Sequence, residues 1–392
     1  MARAETPLDV LIVGAGITGI ALGLALRQSG QRVRVLDHAP LPRFQPVPGF
    51  DQRIYAMSLA SQSLLEAVGA WGRMDPERIQ RIREMALWGD AQGQLQFAPA
   101  PGSGAPLGFI AESGAMLEGL LGAVRETGPD LIDAPVTLQD VTVLEDHVRV
   151  TLKQGRALRT RLLVAADGLH SPLRERMGIA AHFKSYDQKA VVANYATDRP
   201  HDGVARQWFL PGEVVALLPL PGNHVSLVWS AQTEHAEHLL TLSPPERTAA
   251  LQAVVGYGVG HLEERSAPAG FDLRLMRVER LTAPRFVLVG DAAHGVHPMA
   301  GQGLNLGLQD AAQLAAILAT RGHGPDCGDA SVLRRYARAR REPVLAMQGL
   351  TDGLFRLFGS DRWGLPGLRN WGMNIVNQQG WLKQRLMEHA NK

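Results

Sequence analysis

Val10-Leu11-Ile12-Val13-Gly14-Ala15-Gly16-Ile17-Thr18-Gly19 is the stretch on which the reading of the fold turns. An apolar run short enough to be a strand stops at a glycine-rich turn, and residues 17–29 then carry their apolar side chains at helical spacing. Gly14 permits a tight turn, Gly16 lets the backbone approach a pyrophosphate, and Gly19 allows the helix to pack closely on the strand. The first turn of such a helix offers unpaired N–H groups and the positive end of its dipole to an anion. Residues 33–36 form a second strand that ends at Asp37, 18 residues past Gly19, where a carboxylate can accept hydrogen bonds from a ribose diol. Strand, helix, strand and acid together make this a dinucleotide site, and by themselves they do not choose between NAD and FAD.

Outward from that unit, the four prolines of residues 40–50 predict an extended loop. Helices are expected over 58–71, 116–126 and 307–319, and strands over 141–152 and 162–165. Four short strands, 191–196, 204–209, 214–219 and 224–230, are separated by turn residues and predict an antiparallel sheet. Residues 286–289 read as one more buried strand, and the last ~60 residues read as mainly helical. The simplest arrangement is an α/β chain in which a Rossmann-like dinucleotide domain is interrupted by a β-sheet domain.

Composition narrows the function. The net charge of the 392 residues is +2 at pH 7, so no global field recruits nucleic acid. The local exception is Arg334, Arg335, Arg338, Arg340 and Arg341, read as a solvated helix face, with a lipid or partner patch as the alternative. Cys327 is the single cysteine, in a loop-like context without a catalytic role, and no intramolecular disulfide can form. No signal peptide and no run of ~18 apolar residues is present, which predicts a cytoplasmic protein. No metal cluster and no serine–histidine–acid triad is spaced convincingly. His294 and His297 read as loop-orienting residues before they read as bases or ligands.

Two further motifs follow strands. Asp167-Gly168-Leu169-His170-Ser171-Pro172-Leu173-Arg174 comes after 162–165, and Gly290-Asp291-Ala292-Ala293-His294 comes after 286–289. An acid at the C-terminal end of such a strand points into the crevice where ligands of these sheets bind. Asp291 can there accept a hydrogen bond from a ribityl hydroxyl. The glycines of Pro298-Met299-Ala300-Gly301-Gln302-Gly303-Leu304-Asn305 bare backbone N–H groups just before a helix, which suits the electron-rich end of a flavin.

The three motifs, read as GxGxxG, DGxxSxxR and GDAAHxxxPxxGQGxN, resemble those of flavin-dependent aromatic hydroxylases of the para-hydroxybenzoate hydroxylase type. Within that group the sequence is most similar to the ubiquinone-biosynthesis hydroxylases, over nearly its whole length. Arg53-Ile54-Tyr55-Ala56-Met57-Ser58 and the tail from Leu333 to Met347 add to the likeness. The resemblance implies an FAD-binding domain in two parts, residues 1–180 (with a small substrate-side insertion near 80–110) and 276–345. It implies a β-sheet substrate domain over 181–275 and a helical C-terminal region over 346–392. Gly14, Gly16, Gly19, Asp37, Arg53, Asp167, Arg174, Asp291, Gly301, Gln302, Gly303, Leu304 and Asn305 then fall at the FAD. Pro298, Gly301 and Gly303 form the catalytic face beside the isoalloxazine ring. Asp167 and Arg174 belong to the flavin–nicotinamide junction, or simply fix the turn as an ion pair. Three departures stand out. Gly295 replaces a hydroxyl residue, Ser113-Gly114-Ala115-Met116 occupies the place of a usual Asn or Arg, and Glu342-Pro343 predicts a kinked break in a helix that usually continues.

By that resemblance the chemistry is aromatic-ring hydroxylation of a polyprenylated phenol in ubiquinone biosynthesis. NAD(P)H docks transiently to reduce the flavin, and O2 adds to give a C4a-hydroperoxide whose distal oxygen enters the ring. The alternatives are a hydroxylase of a small soluble aromatic or secondary metabolite, an FAD-dependent reductase of isoprenoid double bonds, and a flavin-bound scaffold in a biosynthetic complex. Trp208, Phe209, Leu217, Pro219 and Trp229 are read either as an apolar wall over the flavin or as plain core. The apolar tail, Leu354, Phe355, Leu357 and Phe358 with Trp363, Leu365, Leu368, Trp371 and Ile375, is read as core or as a shallow contact with the inner membrane, where a biosynthetic complex would also meet its substrate.

Overall fold

The computed structural model describes residues 7–42, 49–90, 93–100, 102–153, 155–296, 302–322, 326–358, 370, 373–375, 377 and 379. Its α-helices are α1 (Ile17–Gln28), α2 (Leu59–Ala67), α3 (Ser113–Thr127), α4 (Pro172–Arg176), α5 (Thr233–Thr241), α6 (Pro244–Val255), α7 (Gly303–Ala319) and α8 (Ala330–Phe358).

A parallel sheet is the frame of the first part of the fold. Its strand order is Phe286–Leu288, Ala157–Ala165, Leu8–Val13, Val33–Leu36 and Ile132–Asp133, with Thr282–Ala283 antiparallel at one edge. The middle strands carry continuous apolar stretches, at 10–13 and 162–165, because both faces are covered there. Val10, Ile12, Leu162 and Val164 pack on one side with α1, α3 and α7, while Leu11, Leu163 and Ala165 pack on the other with Val148, Val150 and Leu173. The alternation over 141–152 is a hairpin rather than one strand, Leu138–Val143 returning as Val148–Leu152 onto Ala157–Ala165.

The second sheet is antiparallel apart from one pair. Its order is His294–Gly295, Ala269–Val278, Ala181–Thr197, His224–Gln232, Glu213–Leu220, Val204–Leu210, Glu84–Trp88 and Gln94–Phe97. The hairpin Glu84–Phe97 reaches it from the first part of the chain, pairing in parallel with Val204–Leu210. One face is sealed by α5 and α6, where Val191, Tyr195, Val215, Leu217, Leu227 and Trp229 meet Ala236, Leu239, Leu251 and Val255. Trp208 joins that side and stacks on Trp88, ring centroids 4.9 Å apart. Trp208, Leu217 and Trp229 are therefore core beneath helices rather than a wall toward the first sheet. Phe209 points to the opposite face because side chains alternate along a strand.

That opposite face carries Ala205, Leu218 and Leu220, which pack with Ile82, Ile110, Ile54 and Met85. These last residues belong partly to a small third sheet, Ile54–Met57, Gly108–Glu112 and Ile79–Ile82, which lies between the two large ones.

α8 runs unbroken through Pro343, against the expected break. An interior proline removes one hydrogen bond and costs about 3 kcal/mol in a free helix. Here both flanks are held: Arg340 bonds Asp310 on one side, and the Gln348 amide donates to the Met276 carbonyl at 2.9 Å on the other. Farther along, Leu357 packs with Phe209, Val214, Leu87 and Met373, so this part of the apolar tail is core. Leu365, Leu368, Trp363 and Trp371 lie outside the described residues.

Candidate active site

The glycine turn is as tight as its spacing requires. Gly14 has φ of +111°, and a Cβ there would lie 2.1 Å from the Ala166 carbonyl oxygen. A Cβ on Gly19 would lie 1.9 Å from the Gly14 carbonyl oxygen. Space above Gly16 is open, with nothing within 4 Å of a Cβ built there. No side chain caps the start of α1 and no acid sits in its first turn, so its first N–H groups are free for an anion. One Asp37 carboxylate oxygen accepts the Ala15 N–H at 2.7 Å and the other the Ala39 N–H at 2.9 Å, which fixes the acid beside the turn.

Asp291 follows the strand Phe286–Leu288 in the same sheet and lies at the same end of it. Its side chain is solvent-exposed but surrounded by protein, as on the floor of a crevice. Desolvation raises its pKa above the usual carboxylate range, against the pull of His294 and Arg53. A buried network holds the turn beneath it. Asp310 on α7 accepts the Gly290 N–H at 2.9 Å and bonds His294 Nε2 at 2.6 Å, and its other oxygen accepts Arg340 Nε from α8. Burial alone would raise the Asp310 pKa, but His294, Arg340 and the Gly290 N–H outweigh it and hold it low. His294 is thus a buried partner of Asp310, and Arg340 belongs to the interior rather than to a solvated basic face.

The third sheet brings Arg53 and Tyr55 to the crevice. The Tyr55 phenol is pushed up by burial and by Asp291, and its hydroxyl meets Ser113. Ser113, one of the expected departures, thus lies against Tyr55. Glu112, buried just before it, accepts Arg78 at 3.1 Å and the Asp51 N–H, and so fixes the segment leading to Arg53. The Arg53 guanidinium lies over the Phe271 ring, 5.9 Å from its centroid, and its charge opposes the rise in the Asp291 pKa.

Gln302, Gly303, Leu304 and Asn305 form the start of α7. The Asn305 side chain is consumed within the protein. It accepts the Ser58 N–H and the Ser61 hydroxyl, and it donates to the Ala56 carbonyl and to Gln302. What Asn305 offers the crevice is backbone. Pro298 and Gly301 lie outside the described residues, as does His297.

The middle motif is a half-buried turn that leads into α4. Arg174 is 1% exposed and donates to the carbonyls of Leu169 and Ala292, at 2.9 and 3.1 Å, joining the second motif to the third. It forms no ion pair with Asp167, whose carboxylate accepts the Leu173 N–H and whose pKa is raised by burial. Sequence reasoning missed Tyr55 as a site group, along with Glu112, Arg78 and Asp310. A buried charge is invisible in a sequence until its partner, tens of residues away, is placed.

The residues present fit FAD: an anion-ready helix start beside Asp37 at one end, and an accessible carboxylate beside the backbone of α7 at the other. The FAD binding domain family matches residues 7–348. A ubiquinone hydroxylase of Rhodospirillum rubrum is 35% identical over 388 residues, 99% of this chain and 90% of the relative. The 3-demethoxyubiquinol 3-hydroxylase of Escherichia coli is 30% identical over 385 residues, 98% of each chain. Among solved structures, PqsL of P. aeruginosa in complex with 2-aminobenzoylacetate gives a TM-score of 0.78 at 25% identity, covering 93% of this chain and 100% of that one. With the site geometry, these likenesses establish that the chain belongs to the FAD-dependent hydroxylases of the ubiquinone-biosynthesis family and is a flavin monooxygenase.

Proposed function

We propose that the protein hydroxylates the aromatic ring of a polyprenylated phenol in ubiquinone biosynthesis, using FAD, NAD(P)H and O2. The named activities of its two full-length relatives support the reading. The structural observation that carries it is the placement of the second sheet. The face turned away from α5 and α6 packs, through Leu218, Leu220 and Ala205, on the small sheet that brings Arg53 and Tyr55 beside Asp291. That seats the substrate-side sheet directly against a polar cofactor crevice, and a hydrophobic ring and tail would enter along their junction.

Bound FAD supplies reduction by NAD(P)H and activation of O2 for transfer of one oxygen atom to an electron-rich ring. The protein's part is binding, orientation and exclusion of water. The glycine turn and α1 would hold the pyrophosphate, and Asp37 would take the ribose. Asp291 would accept a ribityl hydroxyl, and Gln302, Gly303, Leu304 and Asn305 would offer backbone N–H groups to the pyrimidine end. Gly303, with Pro298 and Gly301 of the same motif, would serve the isoalloxazine side, and Arg53 the opposite one. Arg174 and Asp167 hold the turn past which the nicotinamide reaches the flavin. In this reading residues 1–180 and 276–345 carry the cofactor, residues 181–275 carry the substrate, and the protein works at a membrane surface or in a complex, since its substrate is too apolar to diffuse freely.

A cell lacking the protein tests the substrate. The expected result is accumulation of a prenylated phenol short of one ring hydroxyl, relieved by returning the gene. Unchanged quinone content with accumulation of an unprenylated aromatic acid would replace this reading by the soluble-substrate one.

A further inference from the structure

The face of the second sheet turned away from α5 and α6 is covered along two strips. Along one, Leu218, Leu220 and Ala205 pack on Ile82 and Ile110 of the small sheet, and the Asn194 amide donates to the Phe50 and Asp51 carbonyls at 3.1 and 3.0 Å. Along the other, the C-terminal half of α8 crosses the strands. Its Gln348 amide donates to the Met276 carbonyl, its Asp352 accepts Lys184 at 2.8 Å, and its Leu357 packs on Phe209 and Val214.

Among the described residues one cross-strand row is left between these strips. Val192 faces Val228, Val228 faces Ala216, and Ala216 faces Gln207, each pair in direct register. Their side chains share this face because their strand neighbours Val191, Leu227, Leu217 and Trp208 pack under α5 and α6. Val228, Ala216 and Gln207 are partly exposed, whereas Ser226 on one side and Ser230, Val214 and Phe209 on the other are buried. One strand farther, Leu87 is in register with Gln207. Neighbouring strands lie about 4.8 Å apart, so the row from Val192 to Leu87 runs about 19 Å. Its inner end adjoins the registered pair Ala190 and Phe271, and Phe271 is 38% exposed with the Arg53 guanidinium over its ring. Arg53 belongs to the Asp291 crevice, so the row begins at the cofactor site. An uncharged strip one side chain wide, walled on both sides and continuous with the place where a ring is oxidised, fits an aliphatic chain attached to that ring.

We propose that this row seats the prenyl tail of the substrate, and that Ala216, the smallest side chain on its floor, sets how long a tail is accepted. The phenol ring stays at the Arg53 and Phe271 end, and the chain crosses the strands toward Gln207 and Leu87. The inference rests on the prenylated-substrate reading and adds to it a tail site and a determinant of chain length.

The test uses the full-length, FAD-loaded protein and two phenols in the same detergent, one carrying a single isoprene unit and one carrying three. In Ala216→Phe the ratio of kcat/KM for the three-unit phenol to that for the one-unit phenol should fall at least about 10-fold, equivalent to the loss of about two buried CH2 groups, while FAD content stays at the wild-type level. A second measurement stands apart from any variant. A three-unit phenol ending in a diazirine, photolysed on the wild type, should label Glu84–Trp88, Val204–Leu210 or Glu213–Leu220, and excess unlabelled three-unit phenol should remove the label. An unchanged ratio in an Ala216→Phe protein that holds its FAD, or label confined to other elements, overturns the proposal. So does label on these strands that the competing phenol does not displace, which would make the strip a contact for another occupant, a second copy of the chain included. Failure of the functional reading looks different: displaceable label on this face, with neither phenol gaining an oxygen atom.

Discussion

Asp291 carries two requirements at once: to be reachable from solvent and to be surrounded by protein. Its raised pKa means that the surrounding protein disfavours the charged form. A ribityl hydroxyl donates best to the ionised carboxylate, so FAD affinity should fall as pH drops through this raised pKa. Asp291→Asn should flatten that dependence, as read by flavin fluorescence titration. Asp291→Ala should weaken FAD by about 10- to 100-fold, the loss of a hydrogen bond to a charged group being worth about 1.5–3 kcal/mol; tight, full FAD occupancy in that variant would remove Asp291 from the site. Asp310 shows the opposite sign. Its pKa is held low in the folded state, so it contributes stability that is present above the unfolded value and is lost as pH falls through the folded one. Arg340→Leu leaves that buried carboxylate short of a partner and should cost about 3–5 kcal/mol in urea unfolding at neutral pH. A near-neutral result would mean that His294 and the Gly290 N–H suffice. None of this network was legible beforehand, because Asp310 and Arg340 are common residues on helical stretches and only packing puts them together.

At the scale of elements, the first motif is the most legible part of the molecule, since each glycine answers to a local distance. Gly19→Ala would drive a Cβ into the Gly14 carbonyl, a backbone atom that cannot swing away. The strain should cost about 1–3 kcal/mol and lower FAD content together with the melting temperature; an unchanged melting temperature would show that α1 can slide to make room. Both faces of the parallel sheet are buried, so its apolar stretches at 10–13, 33–36 and 286–289 were placed within a residue or two, whereas Ala157–Ala165 was seen only from residue 162 and the short strands Ile132–Asp133 and Thr282–Ala283 were missed. The second sheet was harder. Ala181–Thr197 is a 17-residue strand, yet the expectation began only at Val191, because His182-Phe183-Lys184-Ser185 and Asp187-Gln188-Lys189 show little periodicity. The helices α5 and α6 went unnoticed for a similar reason: their apolar residues are sparse and pack on a sheet that must exist first. Trp208 and Trp229 stayed undecided between wall and core because alternation says that two residues share a face, not which face meets the cofactor. Asn305 shows the same limit, since its motif position pointed at the flavin and its side chain ties α7 to the N-terminus of α2.

On the scale of the whole molecule, two sheets with different connectivity meet around a third, and the chain crosses between them several times. The parallel sheet supplies the ends of the cofactor site, the antiparallel sheet supplies an apolar face, and α8 spans both. Family membership was legible from three motifs because their glycines and acids answer to the cofactor's shape, whereas which of the α8 arginines turns inward appeared only once the burial of α8 was known. Among the described residues no helix is long and apolar enough to cross a membrane. The central claim is ring hydroxylation by an FAD enzyme, and the most direct measurement is the fate of labelled oxygen. Purified FAD-loaded protein, NAD(P)H, 18O2 and a short-chain prenyl phenol should yield a product with one additional oxygen atom, carrying the label, with one NAD(P)H oxidised for each product formed. A product that has gained two hydrogens and no oxygen, or NAD(P)H oxidation that yields only hydrogen peroxide with every prenyl phenol tried, would contradict the account.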